Sequence, residues 1–185
     1  GEFGYRRGLA AASMDALQGD FLIGLETVFS DSPYVLDEEL QKFSGLAKFS
    51  RSQDNTTSRI TLSAYDASWN STDQVPLRAI DNGLIPRLGF IDDDLGGKTT
   101  RISLTAQHES ENFEATAYAV YYDFQLFSNF TYFANDPVNG DEFEQRDERL
   151  LLGGSTARTW PVNWLGGDSR LRLGGDLRYD NIFNL

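Results

Sequence analysis

Residues 113–132 read FEATAYAVYYDFQLFSNFTY. The even positions Tyr118, Val120, Tyr122, Phe124 and Leu126 make a bulky, largely apolar row, while Ala115, Ala117, Ala119, Asp123 and Gln125 fall between them. Successive side chains of an extended chain point to opposite faces, so this period of two is the mark of a β-strand. Length carries as much information as period. Strands of water-soluble domains usually run about five or six residues, whereas a tilted strand that crosses a bilayer needs roughly nine to eleven. The stretch is long enough to cross.

Seven further stretches share this character, predicting strands at 3–12, 20–29, 42–52, 58–69, 99–109, 149–161 and 169–179. Their connectors alternate between tight (13–19, 53–57, 110–112, 162–168) and long (30–41, 70–98, 133–148). Short turns on one rim and long loops on the other are how a transmembrane β-barrel is written. Strand 99–109 sets Ile102, Leu104 and Ala106 against Arg101, Ser103, Thr105 and Gln107; strand 169–179 sets Leu171, Leu173 and Leu177 against Arg170, Arg172, Asp176 and Arg178. In 20–29, Phe21, Ile23, Leu25 and Phe29 oppose Gly24 and Glu26. Charged rows suit a wet lumen better than a dry core, where each charge would need a partner. Accordingly Tyr118, Val120, Tyr122, Phe124, Leu126, Leu171, Leu173 and Leu177 are expected on the convex, lipid side. Ala115, Ala117, Ala119, Asp123, Arg170, Arg172 and Asp176 are expected on the concave side. The weaker alternation of 58–69 predicts a bulge near Asp66.

Composition narrows the function classes. The 185 residues hold no Cys, which removes disulfides and thiol chemistry, and no apolar run is long enough for a helical span. A negative mean hydropathy is compatible with a barrel, since only every second strand residue must be apolar. The net charge of −12 argues against a nucleic-acid partner. That charge is concentrated: the long connectors hold fifteen acids and, besides Lys98, three bases, and the rest of the chain is balanced. Asp92, Asp93, Asp94, Asp141, Glu142 and Glu144 are the candidates for an acidic mouth. Trp69, Phe130, Tyr132, Trp160 and Trp164 sit near strand ends and are the candidates for an aromatic girdle at the membrane–water interfaces.

Catalytic signals are sparse. His108 is the single histidine, with no nucleophile elbow beside it, and an enzyme is not expected. The DDDLGG run at Asp92–Gly97 could offer oxygen ligands, but it lacks the spacing of a calcium loop and reads as a solvated acidic loop. No metal and no cofactor is expected.

Three stretches carry a family resemblance: YDASWNSTDQVPLRAIDNGLIPRLGFIDDDLGGKTTRISLTAQ at Tyr65–Gln107, GLETVFSDSPYVL at Gly24–Leu36 and LRYDNI at Leu177–Ile182. They resemble barrel segments of the TonB-dependent outer-membrane receptors of Gram-negative bacteria. The resemblance implies an all-β antiparallel transmembrane barrel of twenty-two strands, of which residues 1–185 would supply about eight. It also implies an N-terminal plug and a TonB box, neither of which is recognisable in this sequence, and a C-terminal strand ending in an aromatic, which is lacking too. With both outer strands ending on the long-loop side, an interior portion of a larger barrel is expected. The implied function is import of a scarce nutrient such as a siderophore, metal complex, vitamin or saccharide, energised by the TonB complex acting on the plug. The implied partners are outer-membrane lipid, lipopolysaccharide and a small-molecule ligand. The acidic mouth would then favour cationic solutes or divalent ions bridging to lipopolysaccharide. The alternative is a soluble β-sandwich or jelly-roll module that binds carbohydrate, with Trp69, Trp160 or Trp164 as stacking platforms.

Overall fold

The structure, a computed structural model, describes residues 1–184. A single 3-10 turn (Glu2–Gly4) precedes eight strands: β1 Arg6–Ala16, β2 Gly19–Ser30, β3 Leu40–Gln53, β4 Thr56–Asn70, β5 Gly96–Glu109, β6 Phe113–Ser128, β7 Phe143–Trp164 and β8 Gly167–Asn184. One short helix, α1 (Leu77–Asp81), lies in the connector between β4 and β5. Every strand pairs antiparallel with its successor, which gives one eight-stranded sheet in sequence order. Among the described residues the sheet is open: β1 pairs only with β2 and β8 only with β7. No second sheet packs on it within the described residues, so the chain by itself is not a sandwich.

The turn rim is built tightly. Leu17 and Gln18, Asp54 and Asn55, and Leu165 and Gly166 all have positive φ, the requirement of the two-residue type I′ hairpin. The fourth turn is Ser110–Asn112, closed by the Ser110 N–H donating to the Phe113 carbonyl at 2.8 Å. Pro161 is tolerated inside β7 because β6 ends opposite Arg158, leaving that edge of β7 without a ladder to interrupt. The connectors 31–39, 71–95 and 129–142 all lie at the opposite rim, as a meander requires.

Because directly opposed residues of an antiparallel pair share a face, the register sorts every side chain. One face carries Phe21, Ile23 and Leu25 on β2, Phe43, Ala47 and Phe49 on β3, and Ile60, Leu62 and Ala64 on β4. It continues through Ile102, Leu104 and Ala106 on β5 and Ala115, Ala117 and Ala119 on β6. Leu150 and Leu152 on β7 and Leu171, Leu173, Leu177 and Tyr179 on β8 complete it. The hollows of the sheet open on the other side, which makes this the convex face, and it is bare: Leu104 is 48% exposed, Leu173 58% and Leu177 76%. The opposite face is concave, with a recess lined by Arg101, Ser103, Thr105, Tyr118, Tyr122, Arg149 and Arg178 among others. Among the described residues the buried apolar side chains are Val28, Ala67 and Leu95, all near the loop rim. Among the described residues the sheet has no core between layers.

The apolar band has polar borders. On β4 it runs between Ser58 and Asp66, on β5 between His108 and Thr100, and these borders meet across the strands. Ser58 Oγ lies 3.0 Å from His108 Nδ1, and Thr100 Oγ1 donates to Asp66 Oδ2 at 2.6 Å. Eight residue steps span about 26 Å along a strand; on β3, between Gln41 and Arg51, the span is about 33 Å by the same rise.

Two sequence expectations are corrected. Strand β6 faces the other way: Tyr118, Val120 and Tyr122 lie opposite Thr105, Ser103 and Arg101, on the concave side with Arg178 and Asp176, whereas Ala115, Ala117 and Ala119 join the convex band. The reason is space. Gly153 faces Tyr118 across β7, and a Cβ there would collide with the Tyr118 ring, so the aromatic row fills a concavity that glycine leaves open. Leu171, Leu173 and Leu177 are convex and Arg170, Arg172 and Asp176 concave, as expected. No bulge interrupts β4 at Asp66; among the described residues the ladder is irregular between Glu148 and Arg149, where β7 meets Asn184 and then Ile182 of β8. The ends also differ. Strand β6 stops at Ser128, four residues early, and β7 begins at Phe143 within the stretch read as loop.

The register makes a direct prediction. Ser63 and Ser103 are opposed on the concave face with hydroxyls 2.6 Å apart, and the chain has no cysteine of its own. The double variant Ser63→Cys with Ser103→Cys should form an intrachain disulfide on oxidation. Ser63→Cys with Leu104→Cys, on opposite faces, should not; mass spectrometry distinguishes the two.

Candidate functional site

The concave wall is a ladder of ions held by their neighbours. Arg7 donates to Glu26 at 2.6 Å and Lys42 approaches the same carboxylate at 3.2 Å. Arg59 reaches Glu109 at 3.7 Å, and Arg172 pairs with Glu114. Arg149 donates through Nε to Asp147 at 2.6 Å, and Arg178 to Asp180 at 2.7 Å. Arg101 is the exception at mid-wall. It stands between Tyr65 of β4 and Tyr122 of β6, and among the described residues it makes no ion pair. With Ser103, Thr105 and Tyr118 beside it, the recess offers a guanidinium and several hydroxyls to anything that occupies the concave side. On the convex face, charge is confined to the ends of the band. Arg146 pairs with Glu148 at 3.1 Å and Gln125 donates to Glu144 at 2.6 Å near the loop rim, while Arg158 sits 5.6 Å from the Trp160 ring near the turn rim.

The girdle candidates divide. Trp160 and Trp164 are on the convex face beside the last turn, 37% and 70% exposed. Trp69 is on the concave face at the loop rim, its ring over Gly97, where a Cβ would come within 2.8 Å. Phe130 and Tyr132 have left the sheet. Phe130 packs edge-on against Phe143 at 5.5 Å, and the Tyr132 hydroxyl donates to the Gln74 carbonyl at 2.8 Å.

The acidic candidates also fall into groups. Asp92, Asp93 and Asp94 cluster at the end of connector 71–95, each able to place one oxygen within 4.8 Å of the others. Glu142 ends connector 129–142, and its carboxyl is pushed up by burial and by the charges of Asp92 and Asp94. Glu144 belongs to β7 and is engaged by Gln125. Asp141 instead organises its own connector, accepting the Asp136 N–H at 2.7 Å and the Asn135 N–H at 2.9 Å. Taken by the observed boundaries, the three long connectors hold twelve acids against two bases, Arg78 and Arg87. Asp73 and Asn129 tie these connectors together. The Asn129 N–H donates to Asp73 Oδ2 at 2.6 Å and its Nδ2 to Asp92 Oδ2 at 2.7 Å. No local sequence signal marks a contact between residues so far apart in the chain.

His108 closes the convex border with Ser58, and among the described residues no carboxylate hydrogen-bonds its ring. Comparison with known protein families, with curated proteins and with solved structures finds no match. Among the described residues no helix is long and apolar enough to cross a membrane, which says nothing of crossing by strands.

Connector 129–142 should respond to acid through two carboxylates, Asp136 and Asp141. Hydrogen bonds from Asn139 and Val138 hold the Asp136 carboxyl below its ordinary value, and bonds from Asn135 and Thr131 do the same for Asp141. A lowered folded value means that each carboxylate stabilises the loop above the ordinary aspartate range and loses that contribution as pH falls through the lowered value. Amide resonances of Val138 and Asn139 should therefore move together on acidification and survive Asp141→Asn. Those of Asn135 and Asp136 should lose their titration in that variant.

Proposed function

We propose that this sheet is a portion of the wall of an outer-membrane β-barrel, of the TonB-dependent receptor type that its sequence resembles. The observation that carries the reading is the inverted arrangement of side chains. A continuous apolar band covers the convex face, while ion pairs line the concave one. In water this places the wrong face outside; against lipid it is the stable order. With the roughly 40° tilt of barrel strands, a band of about 26–33 Å along the strands stands about 20–25 Å tall, close to the ~25 Å lipid-facing belt of outer-membrane barrels. The free edges of β1 and β8 present unpaired backbone groups that hydrocarbon cannot satisfy, so in a membrane they continue into further strands.

In this reading the concave wall, with Arg101 and its tyrosines, faces the lumen and whatever fills it. The acidic connectors form the external mouth, where ligand arrives, and Trp160 and Trp164 sit at the opposite, periplasmic interface. The imported solute is a scarce nutrient, cationic or metal-bound by the sign of the rim, and the energy comes through the plug and the TonB complex. At physiological salt, screening over about 8 Å leaves only clustered acids effective, which selects Asp92–Asp94 with Glu142.

The test is an arginine placed on each face of one strand. Ala117→Arg puts a charge in the middle of the convex band and should weaken insertion into lipid vesicles by about 2–4 kcal/mol. Val120→Arg, on the concave wall, should insert nearly as the parent does. Equal tolerance of both, or solubility of the parent chain without detergent or lipid, would overturn the proposal.

A further inference from the structure

Residues opposed on neighbouring strands form rows across the sheet, and the apolar band does not run along them. On β2 it extends from Phe21 to Phe29, on β6 from Phe113 to Tyr121 and on β8 from Leu171 to Tyr179, eight residue steps each time. The register shows how these stretches are offset. Phe21 shares a row with Ala117 and Leu177, so the turn-side end has moved four residues by β6, to Phe113, and six by β8, to Leu171. The loop-side end moves alike. Tyr121 shares the row of Leu25, four residues short of Phe29, and Tyr179 shares that of Ile23, six short. Four strand steps lead from β2 to β6 and six to β8, so the band descends toward the turn rim by one residue per strand. A single row shows the crossing: it is apolar at Phe43 on β3 and polar at Asp66, Thr100, Asp123 and Glu148.

A drift of one residue, about 3.3 Å, for each strand spacing of about 4.8 Å inclines the band to the rows by about 35°. Strands of closed barrels are tilted from the barrel axis by roughly the same angle, about 35–45°. We infer, on the membrane reading above, that the bilayer meets this sheet obliquely: its hydrocarbon layer crosses β2 between Phe21 and Phe29 but β8 between Leu171 and Tyr179. A bilayer is a flat slab, so side chains at one depth lie on a line square to its normal. Tilted strands carry that line diagonally across their register. Two features of the sheet then have one cause. Strand β7 runs on to Trp164, past Arg158 where its pairing with β6 ends, because the lipid layer lies nearest the turn rim at β7 and β8. Trp160 falls at the turn-side border of that layer. At its other end β7 carries Glu144, Arg146 and Glu148 on the convex face because this end stands clear of hydrocarbon, although Glu148 shares its row with Phe43.

Depth along one row is the test. The chain has no cysteine, so a bimane label can be placed on single cysteines and its depth read from quenching by lipids brominated at set acyl positions, with the full chain reconstituted in bilayers. Arg51 and Gly175 share a row, and a Cβ at Gly175 meets nothing within 4 Å. The label at Gly175→Cys should lie about 14 Å deeper than at Arg51→Cys, five strands away at the spacing and tilt above. A second pair on another row guards against a variant that fails to fold: Phe43→Cys should lie about 8 Å deeper than Asp123→Cys. Leu104→Cys, in the middle of the band, reports whether the sheet is in lipid at all. Equal depths within each pair while Leu104→Cys is quenched, or the reverse order, would overturn the oblique belt and leave the membrane reading standing. No quenching at Leu104→Cys would overturn both.

Discussion

Everything in this molecule depends on a sheet that satisfies its own backbone while leaving one face without a cover. Antiparallel ladders absorb the amides and carbonyls of eight strands, so hydrogen bonding asks for no second layer. Hydrophobic burial does ask for one. A layered domain puts apolar side chains between its layers, yet here they cover the outward curve while guanidinium and carboxylate groups occupy the inner one. The arrangement recurs from β2 to β8 and, on β4 and β5, is bounded at both ends by polar pairs. Such consistency makes it a property of the fold and not scattered surface hydrophobicity, which would need no explanation.

Strand number, order and connector alternation were legible because each rests on local pattern: turn residues such as Asp54-Asn55 and Leu165-Gly166, and period-two rows long enough to count. The sense of β5 and β8 was legible because one of their faces is charged. That of β6 was not. Its two rows are aromatic–aliphatic and alanine, both admissible against lipid. The choice between them is made by Gly153 and Arg101 on neighbouring strands, through a register that no single stretch contains. The loop-side ends were misjudged for a related reason. Residues 129–132 continue the alternation but are drawn out of the sheet by Asp73, Asp92 and the Gln74 carbonyl. Residues 143–148 look like solvated loop yet are held in the ladder by β6, with Gln125 binding Glu144.

The candidate site was legible in charge and illegible in architecture. The acidic excess of the long connectors survives in the structure as twelve acids against two bases. Which acids work together was not readable. Asp141 serves its own loop and Glu144 its strand, while Asp73 and Asn129 turn out to join two connectors. Trp69 illustrates the same limit: a tryptophan at a strand end suggests an interface anchor, but its face is set by the register with β5, and Gly97 receives its ring on the concave side.

On the proposed reading, the convex face meets lipid and the concave face meets water. Spin labels placed one at a time on single cysteines along residues 115–122, with the chain reconstituted in lipid bilayers, report it directly through accessibility to oxygen and to a water-soluble nickel chelate. A period of two is expected, with oxygen favoured at 115, 117, 119 and 121 and the chelate favoured at 116, 118, 120 and 122. Reversal of the two sets, or chelate access without periodicity, would contradict it.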